Sequence, residues 1–176
     1  MMEISKELEE MINDQLNFEL YSAHIYLAMA AYFEEKNLGG MAHWMEVQVD
    51  EEYAHAIRFY RHIVERGGRV VLNEIPAPQK EWSSPLDAWE TAYNHEQLVT
   101  SRIYKIGDLA AQQGDRAAQS MLNWFYDEQV EEEKSTMEVR DKLKLIGDSI
   151  AALLQLDAEL GARPPAGPTP VESTAQ

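Results

Sequence analysis

Six residues of this sequence join metal-binding chemistry to a spacing that repeats. Glu19 stands 33 positions before Glu52, and Glu96 stands 33 positions before Gln129. Each second member is followed three residues later by another donor, giving Glu52-x-x-His55 and Gln129-x-x-Glu132. Side chains three apart on a helix share a face and can hold one ion together. Carboxylate oxygens with an imidazole among them suit divalent and trivalent cations of hard or borderline character.

All six fall in the middle of apolar stripes whose members recur at spacings of three and four, the pattern of helices that each bury one face. The first stripe is Leu8, Ile12, Gln15, Glu19, Ala23, Tyr26, Ala30 and Phe33, and the second is Met41, Met45, Gln48, Glu52, His55, Phe59 and His62. The third runs Leu86, Trp89, Tyr93, Glu96, Val99, Ile103, Ile106 and Ala110. The fourth runs Ala118, Leu122, Phe125, Gln129, Glu132, Thr136, Val139, Leu143 and Ile146. A buried carboxylate is costly unless it is protonated, paired or bound to metal. No Lys or Arg lies on these stripes near the four acids, so a cation is the simplest compensator, and two matched halves predict two of them.

The stripes define the elements that must carry these residues. The first helix is expected from the N-cap candidate Ser5 to about Lys36, with Gly39-Gly40 as the turn. The second follows from about Met41 to Gly67-Gly68. Residues 67 to 84 contain two prolines and no helical period, and read as an extended link. Fully extended it reaches about 60 Å, against about 39 Å for a helix of about 26 residues, so it can cross the whole bundle. The third helix opens at Ser84-Pro85, Gly114-Asp115 turns the chain, and the fourth ends at Gly147. The fold class is therefore all-α: a four-helix bundle of two antiparallel hairpins joined by a long crossover. A short fifth helix is expected over Ile150 to Leu160, closing a domain of residues 1–160. Residues 161–176, with four prolines and no apolar face, are expected to form a structureless tail.

Composition sets outer limits. A chain of 176 residues that is 45% hydrophobic suits one globular core. The absence of cysteine excludes disulfides, Cys-ligated zinc and iron–sulfur clusters. A net charge of −16 argues against nucleic acid or an anionic membrane as partner and favours cations. No apolar run nears the roughly 18 to 20 residues of a membrane span. Met1 to Lys6 lacks a basic region followed by an apolar stretch, so a cytoplasmic protein is expected.

Four segments carry a family likeness: Asn17-Phe-Glu-Leu-Tyr-Ser22, Asp50-Glu-Glu-Tyr-Ala-His55, His95-Glu-Gln97, and Asn123-Trp-Phe-Tyr-Asp-Glu-Gln-Val-Glu-Glu-Glu133. With them the sequence resembles the ferritin family, of the non-haem bacterial or archaeal type, over about residues 5 to 160. The resemblance implies a ferritin-like bundle that oxidises Fe(II) at a diiron centre, with dioxygen or peroxide as oxidant. It also implies storage of the iron as mineral inside a homo-oligomeric cage, of 24 subunits. Carried over by motif, one iron is held by Glu19, Glu52 and His55, and the other by Glu52, Glu96 and Glu132, with Glu52 as the bridge. Gln129 then lies beside them, near bound dioxygen. A third iron site matches Glu51, Glu128 and Glu131, with Glu132 shared; on a solvated acidic face the same residues would bind nothing. Tyr26 matches the tyrosine that the family places beside the diiron centre, an electron donor or else an ordinary core aromatic. Trp124 matches a family tryptophan whose stronger reading is packing.

Bacterioferritins carry a second Glu-x-x-His and a haem-ligating Met after the bridging Glu. This sequence has Gln129-x-x-Glu132 and Tyr53 in those places, so no haem is expected. His24, His43, His62 and His95 match no ligand role. Two other readings remain: a diiron peroxidase of the erythrin type that detoxifies oxygen species without storage, and a metal-free helical scaffold.

Overall fold

The computed structural model describes residues 3–166, and among these every regular element is a helix. They are α1 (Lys6–Glu35), α2 (Gly39–Glu65), α3 (Pro85–Gln113), α4 (Arg116–Ile146) and α5 (Ile150–Leu160). Their starts follow capping chemistry. Ser5 accepts from the Leu8 amide at 3.2 Å, Ser84 from Asp87 at 3.1 Å just ahead of Pro85, and Asp115 from Ala118 at 3.0 Å. Each supplies an acceptor for an amide that the helix itself leaves unbonded.

One expected turn lies elsewhere. Gly39 and Gly40 belong to the first turn of α2, and the chain reverses over Lys36, Asn37 and Leu38, where Asn37 takes φ +57°. Asparagine tolerates that left-handed conformation, so glycine is not needed there. Gly40 is needed for packing instead: a Cβ built on it would lie 1.7 Å from the Asp157 carbonyl oxygen of α5.

The order of apolar residues along each helix gives the topology. Buried side chains fall into two clusters. One holds Met29 and Phe33 of α1, Met41 and Met45 of α2, Trp89 of α3 and Leu143 of α4. The other holds Leu8 and Leu16 of α1, Phe59 and Ile63 of α2, Ile103 of α3 and Phe125 of α4. Helices α1 and α4 thus run from the second cluster to the first, and α2 and α3 run the opposite way. The link from α2 to α3 has to span the bundle, with Val70 against one cluster and Trp82 in the other. In the second cluster Phe59 and Phe125 stack at 4.2 Å between centroids; full burial of such side chains contributes about 1.5 to 3 kcal/mol each.

The crossover is held by carboxamides of α1 rather than by another strand. Asn13 donates to the Arg69 carbonyl at 2.9 Å and accepts from the Val71 amide at 2.7 Å. Asn17, one turn later, donates to the Val71 carbonyl at 2.8 Å and accepts from the Asn73 amide at 2.7 Å. At the end of α2, Arg66 forms a two-pronged, buried pair with Asp115, which ties the two hairpins together. Helix α5 packs on α2 and α4, at the end of the bundle that holds the first cluster.

Beyond α5, residues 161–166 carry no helix, yet Arg163 is packed against α2. The rest of the expected tail, 167–176, lies outside the described residues.

Candidate metal centre

Between the two apolar clusters lies a polar layer. Glu19 and Glu96 are 0% exposed, Glu52 1%, His55 2%, Gln129 2% and Glu132 4%. All four bundle helices contribute, and the sequence places them there by letting a polar residue interrupt each apolar stripe at the same level. Glu19, Glu52 and His55 bring one ligand atom each within 4.8 Å of one another, as do His55, Glu128 and Glu132. His55 is common to both groups. Its Nδ1 lies 3.4 Å from Glu52 Oε2 and its Nε2 3.9 Å from Glu128 Oε1, so the ring faces a carboxylate on each side.

Neutral donors orient the acids. Gln15 donates to Glu19 Oε1 at 2.9 Å, and Gln48 to Glu132 Oε2 at 2.6 Å. The Tyr26 hydroxyl donates to Glu96 Oε1, and Gln129 reaches Glu96 Oε2 and Thr100 Oγ1 at 3.3 Å each. The Arg102 guanidinium approaches Glu19 but stops a residue short: it donates to Gln15 Oε1 at 2.8 Å and pairs with Asp14. Glu19 Oε2 and Glu52 Oε2, both buried, accept no hydrogen bond. Burying such an oxygen is costly; the His55 ring, 3.4 Å from Glu52 Oε2, offsets part of that cost, and a cation between these acids would relieve the rest. The donor set, oxygen-rich with one imidazole, fits iron.

Electrostatics agree. Burial pushes the Glu19 carboxyl up and Glu52 well up, Glu96 to about 7 and Glu132 to about 8. Burial disfavours charge on His55, but Glu128, Glu52 and Glu19 more than offset it and hold the imidazolium well above its ordinary range. Burial and then the neighbouring Glu96 push Tyr26 well up as well. Burial thus favours the protonated acids, Glu132 most clearly at neutral pH with Glu96 near its midpoint, and a cation entering the layer would displace such protons.

The remaining candidates divide. Glu128 sits beside His55 and Glu132, whereas Glu51 is held by Arg163 at 2.6 Å and Glu131 is exposed and belongs to neither group. Trp124 lies 5.4 Å from the His55 ring, and the Arg58 guanidinium lies 4.0 Å from the centre of the Trp124 ring. Three polar residues that sequence reasoning left without a role belong to the layer: Gln15, Gln48 and His95. The two glutamines lie on the stripes at the site's own level, which is a usable signal. His95 is buried, stacks on Phe18 at 5.3 Å and sits 2.7 Å from Ser22 Oγ. Because Ser22 gives its hydrogen to the Phe18 carbonyl, the ring nitrogen is the donor. Burial lowers His95 to about 4, so it packs as a neutral ring against Tyr26.

The chain as a whole is similar to known proteins. A family described as "Ferritin-like domain" matches residues 9–146. A bacterial non-heme ferritin of Staphylococcus saprophyticus is 42% identical over 160 residues, covering 91% of this chain and 96% of that protein. One of Bacteroides fragilis is 38% identical over the same length, with 91% and 99% covered. Among solved structures, an open-pore ferritin of the archaeon Archaeoglobus fulgidus superposes with a TM-score of 0.91 at 46% identity, covering 92% of this chain and 99% of that one. Matched in family, in sequence along nearly its whole length and in fold, the chain belongs to the ferritin family.

Proposed function

We propose that the protein is an iron-storage ferritin with ferroxidase activity. The observation that carries this reading is the buried layer of four carboxylates from four helices, in which Glu19 Oε2 and Glu52 Oε2 accept no hydrogen bond. Iron is the substrate. Glu19, Glu52 and His55 take one Fe(II), and Glu52, Glu96 and Glu132 take a second, with Glu52 between them. Glu51, Glu128 and Glu131, with Glu132, form a third position, for which the approach of Glu128 to His55 and Glu132 gives the best support.

The protein's part is to favour the product. Anionic oxygen donors stabilise Fe(III) over Fe(II) and so lower the barrier to electron loss. Two Fe(II) deliver two electrons, which dioxygen or peroxide takes up with two protons. Incoming iron would displace the protons of Glu96 and Glu132 to solvent, and solvent water supplies the two protons that the reduced oxidant takes up. In this reading Gln129 would border the oxidant and Tyr26 would give a further electron, supported by their hydrogen bonds to Glu96. Fe(III) then leaves for the interior of a cytoplasmic cage of 24 subunits, where surplus carboxylates of this −16 chain nucleate mineral.

The test is an anaerobic Fe(II) titration followed by oxygen. Two tight sites per chain are expected, with oxidation far faster than that of free iron, in an assembly of very large size. Equal oxidation rates for Glu52→Ala and the parent would remove the diiron centre, and a stable monomer or dimer would remove storage.

A further inference from the structure

The segment after α5 reaches the edge of this site. The chain makes a last turn in which the amides of Gly161, Ala162 and Arg163 bond to the carbonyls of Asp157, Glu159 and Leu160. Three contacts fix it on α2: His43 Nε2 lies 2.9 Å from the Arg163 carbonyl, Asp157 Oδ1 accepts from the Met41 amide at 2.8 Å, and Gly40 admits the Asp157 backbone. The Arg163 side chain is thereby delivered to one place. Its Nη1 donates to the Trp44 carbonyl at 3.0 Å, its guanidinium lies 4.1 Å from the Trp44 ring centre, and its Nη2 meets Glu51 Oε2 at 2.6 Å. The two side chains are only 20% and 27% exposed.

Glu51 precedes the bridging Glu52 in the chain, and its charge acts on Glu132 and interacts with those of Glu128 and His55. A guanidinium is charged at every accessible pH and cannot itself ligate a metal. A cation arriving at Glu51 must displace Arg163 or bind beside a like charge, and between partly buried charges a few ångströms apart that repulsion is several times thermal energy.

Resting on the diiron reading above, we infer that Arg163 is a built-in counter-ion for Glu51 that competes with a third cation at the Glu51–Glu128–Glu132 edge of the site. It keeps that position weak, so that iron arriving there moves on. The chain end after α5 thus sets how iron leaves the oxidation site.

The test uses the full-length assembled protein, free of metal, titrated calorimetrically with Zn²⁺, which is redox-inert. The parent is expected to show two tight sites and a weaker third. Arg163→Gln tightens only the third, by about tenfold, Arg163→Lys falls between, and Glu51→Gln abolishes the effect of Arg163→Gln. A third class unchanged or weakened in Arg163→Gln, with the tight pair intact, overturns this inference alone. Absence of the tight pair from the parent overturns the diiron reading instead. Should Arg163→Gln not assemble, the part of the emission that Trp44→Phe removes decides, with Arg163 present, because Trp82, Trp89 and Trp124 also emit. A change in step with the third class is expected, because the guanidinium loosens from the ring, and an unchanged signal overturns the competition.

Discussion

Nδ1 of His55 and Oε2 of Glu52 lie 3.4 Å apart on one face of α2, one turn from each other. In the metal-free protein the charge between them is settled by a proton, and a cation entering there must expel it. Binding of Zn²⁺ or Fe(II) is therefore expected to release protons at pH 7, more than at pH 9. Calorimetry in buffers of different ionisation enthalpy counts them, and proton release equal at both pH values would contradict this account.

The same groups set the pH dependence of the metal-free fold. Glu96 and Glu132, raised by burial to about 7 and about 8, hold protons in the folded state that the unfolded chain gives up near 4.5. The raised His55 acts in the same direction, above its ordinary 6.5. The unfolded state therefore binds fewer protons across this window, and stability falls as pH rises from about 4.5 to about 8. The melting temperature of the metal-free protein should drop over that range, and Zn²⁺ should raise it most at the upper end.

Replacing Glu52 by Gln should separate stability from function. The change removes an acid whose deprotonation burial opposes, so the metal-free protein should gain about 1 to 3 kcal/mol at pH 8. A smaller gain is expected at pH 5, where burial favours the neutral acid. Stabilisation by metal should be lost at both. Chemical denaturation with and without Zn²⁺ measures all three, and a metal-free Glu52→Gln protein less stable than the parent at pH 8 would contradict the reading.

Tyr26→Phe removes the hydroxyl that donates to Glu96 and helps hold its pKa down. Metal affinity of the pair should weaken about tenfold at pH 6.5, in the range seen when a partner of a metal ligand is removed. The deficit should shrink at pH 8.5, where Glu96 is ionised with or without its partner. A deficit independent of pH would mean that the ring acts by packing alone.

Gly40→Ala puts a methyl group into the Asp157 backbone. Loss of about 1 to 3 kcal/mol is expected, with faster amide exchange in α5 and near Met41, while the two tight metal sites persist because they lie in the middle of the bundle. Unchanged exchange in α5 would contradict the assigned contact.

Much of this was legible in the sequence because burial and periodicity are local properties. Glu19, Glu52, Glu96 and Glu132 stood out as acids on apolar stripes, and Ser84-Pro85 marked the start of α3 where the structure has it. What was hidden depended on partners far along the chain. The Gly39-Gly40 pair looks like a turn until α5 is seen against it, and Arg163 meets Glu51 across 112 residues of sequence. Gln15 and Gln48 were on the stripes, yet an amide there states no partner until the opposite helix is in place. His95 lies next to Glu96 but off the stripe, and only the approach of Ser22 and Phe18 explains why it is buried.

The carboxamides of Asn13 and Asn17 sit one helical turn apart and meet peptide groups of residues 69, 71 and 73 in alternation. A helical rise of about 1.5 Å per residue and an extended rise of about 3.3 Å are thus brought into step, four residues against two. Inserting or deleting one residue between Arg69 and Asn73 would present the wrong peptide groups to both asparagines. The length of this stretch is therefore metered by α1, whereas the part beyond Asn73, outside that gauge, is where natural variation in loop length should accumulate.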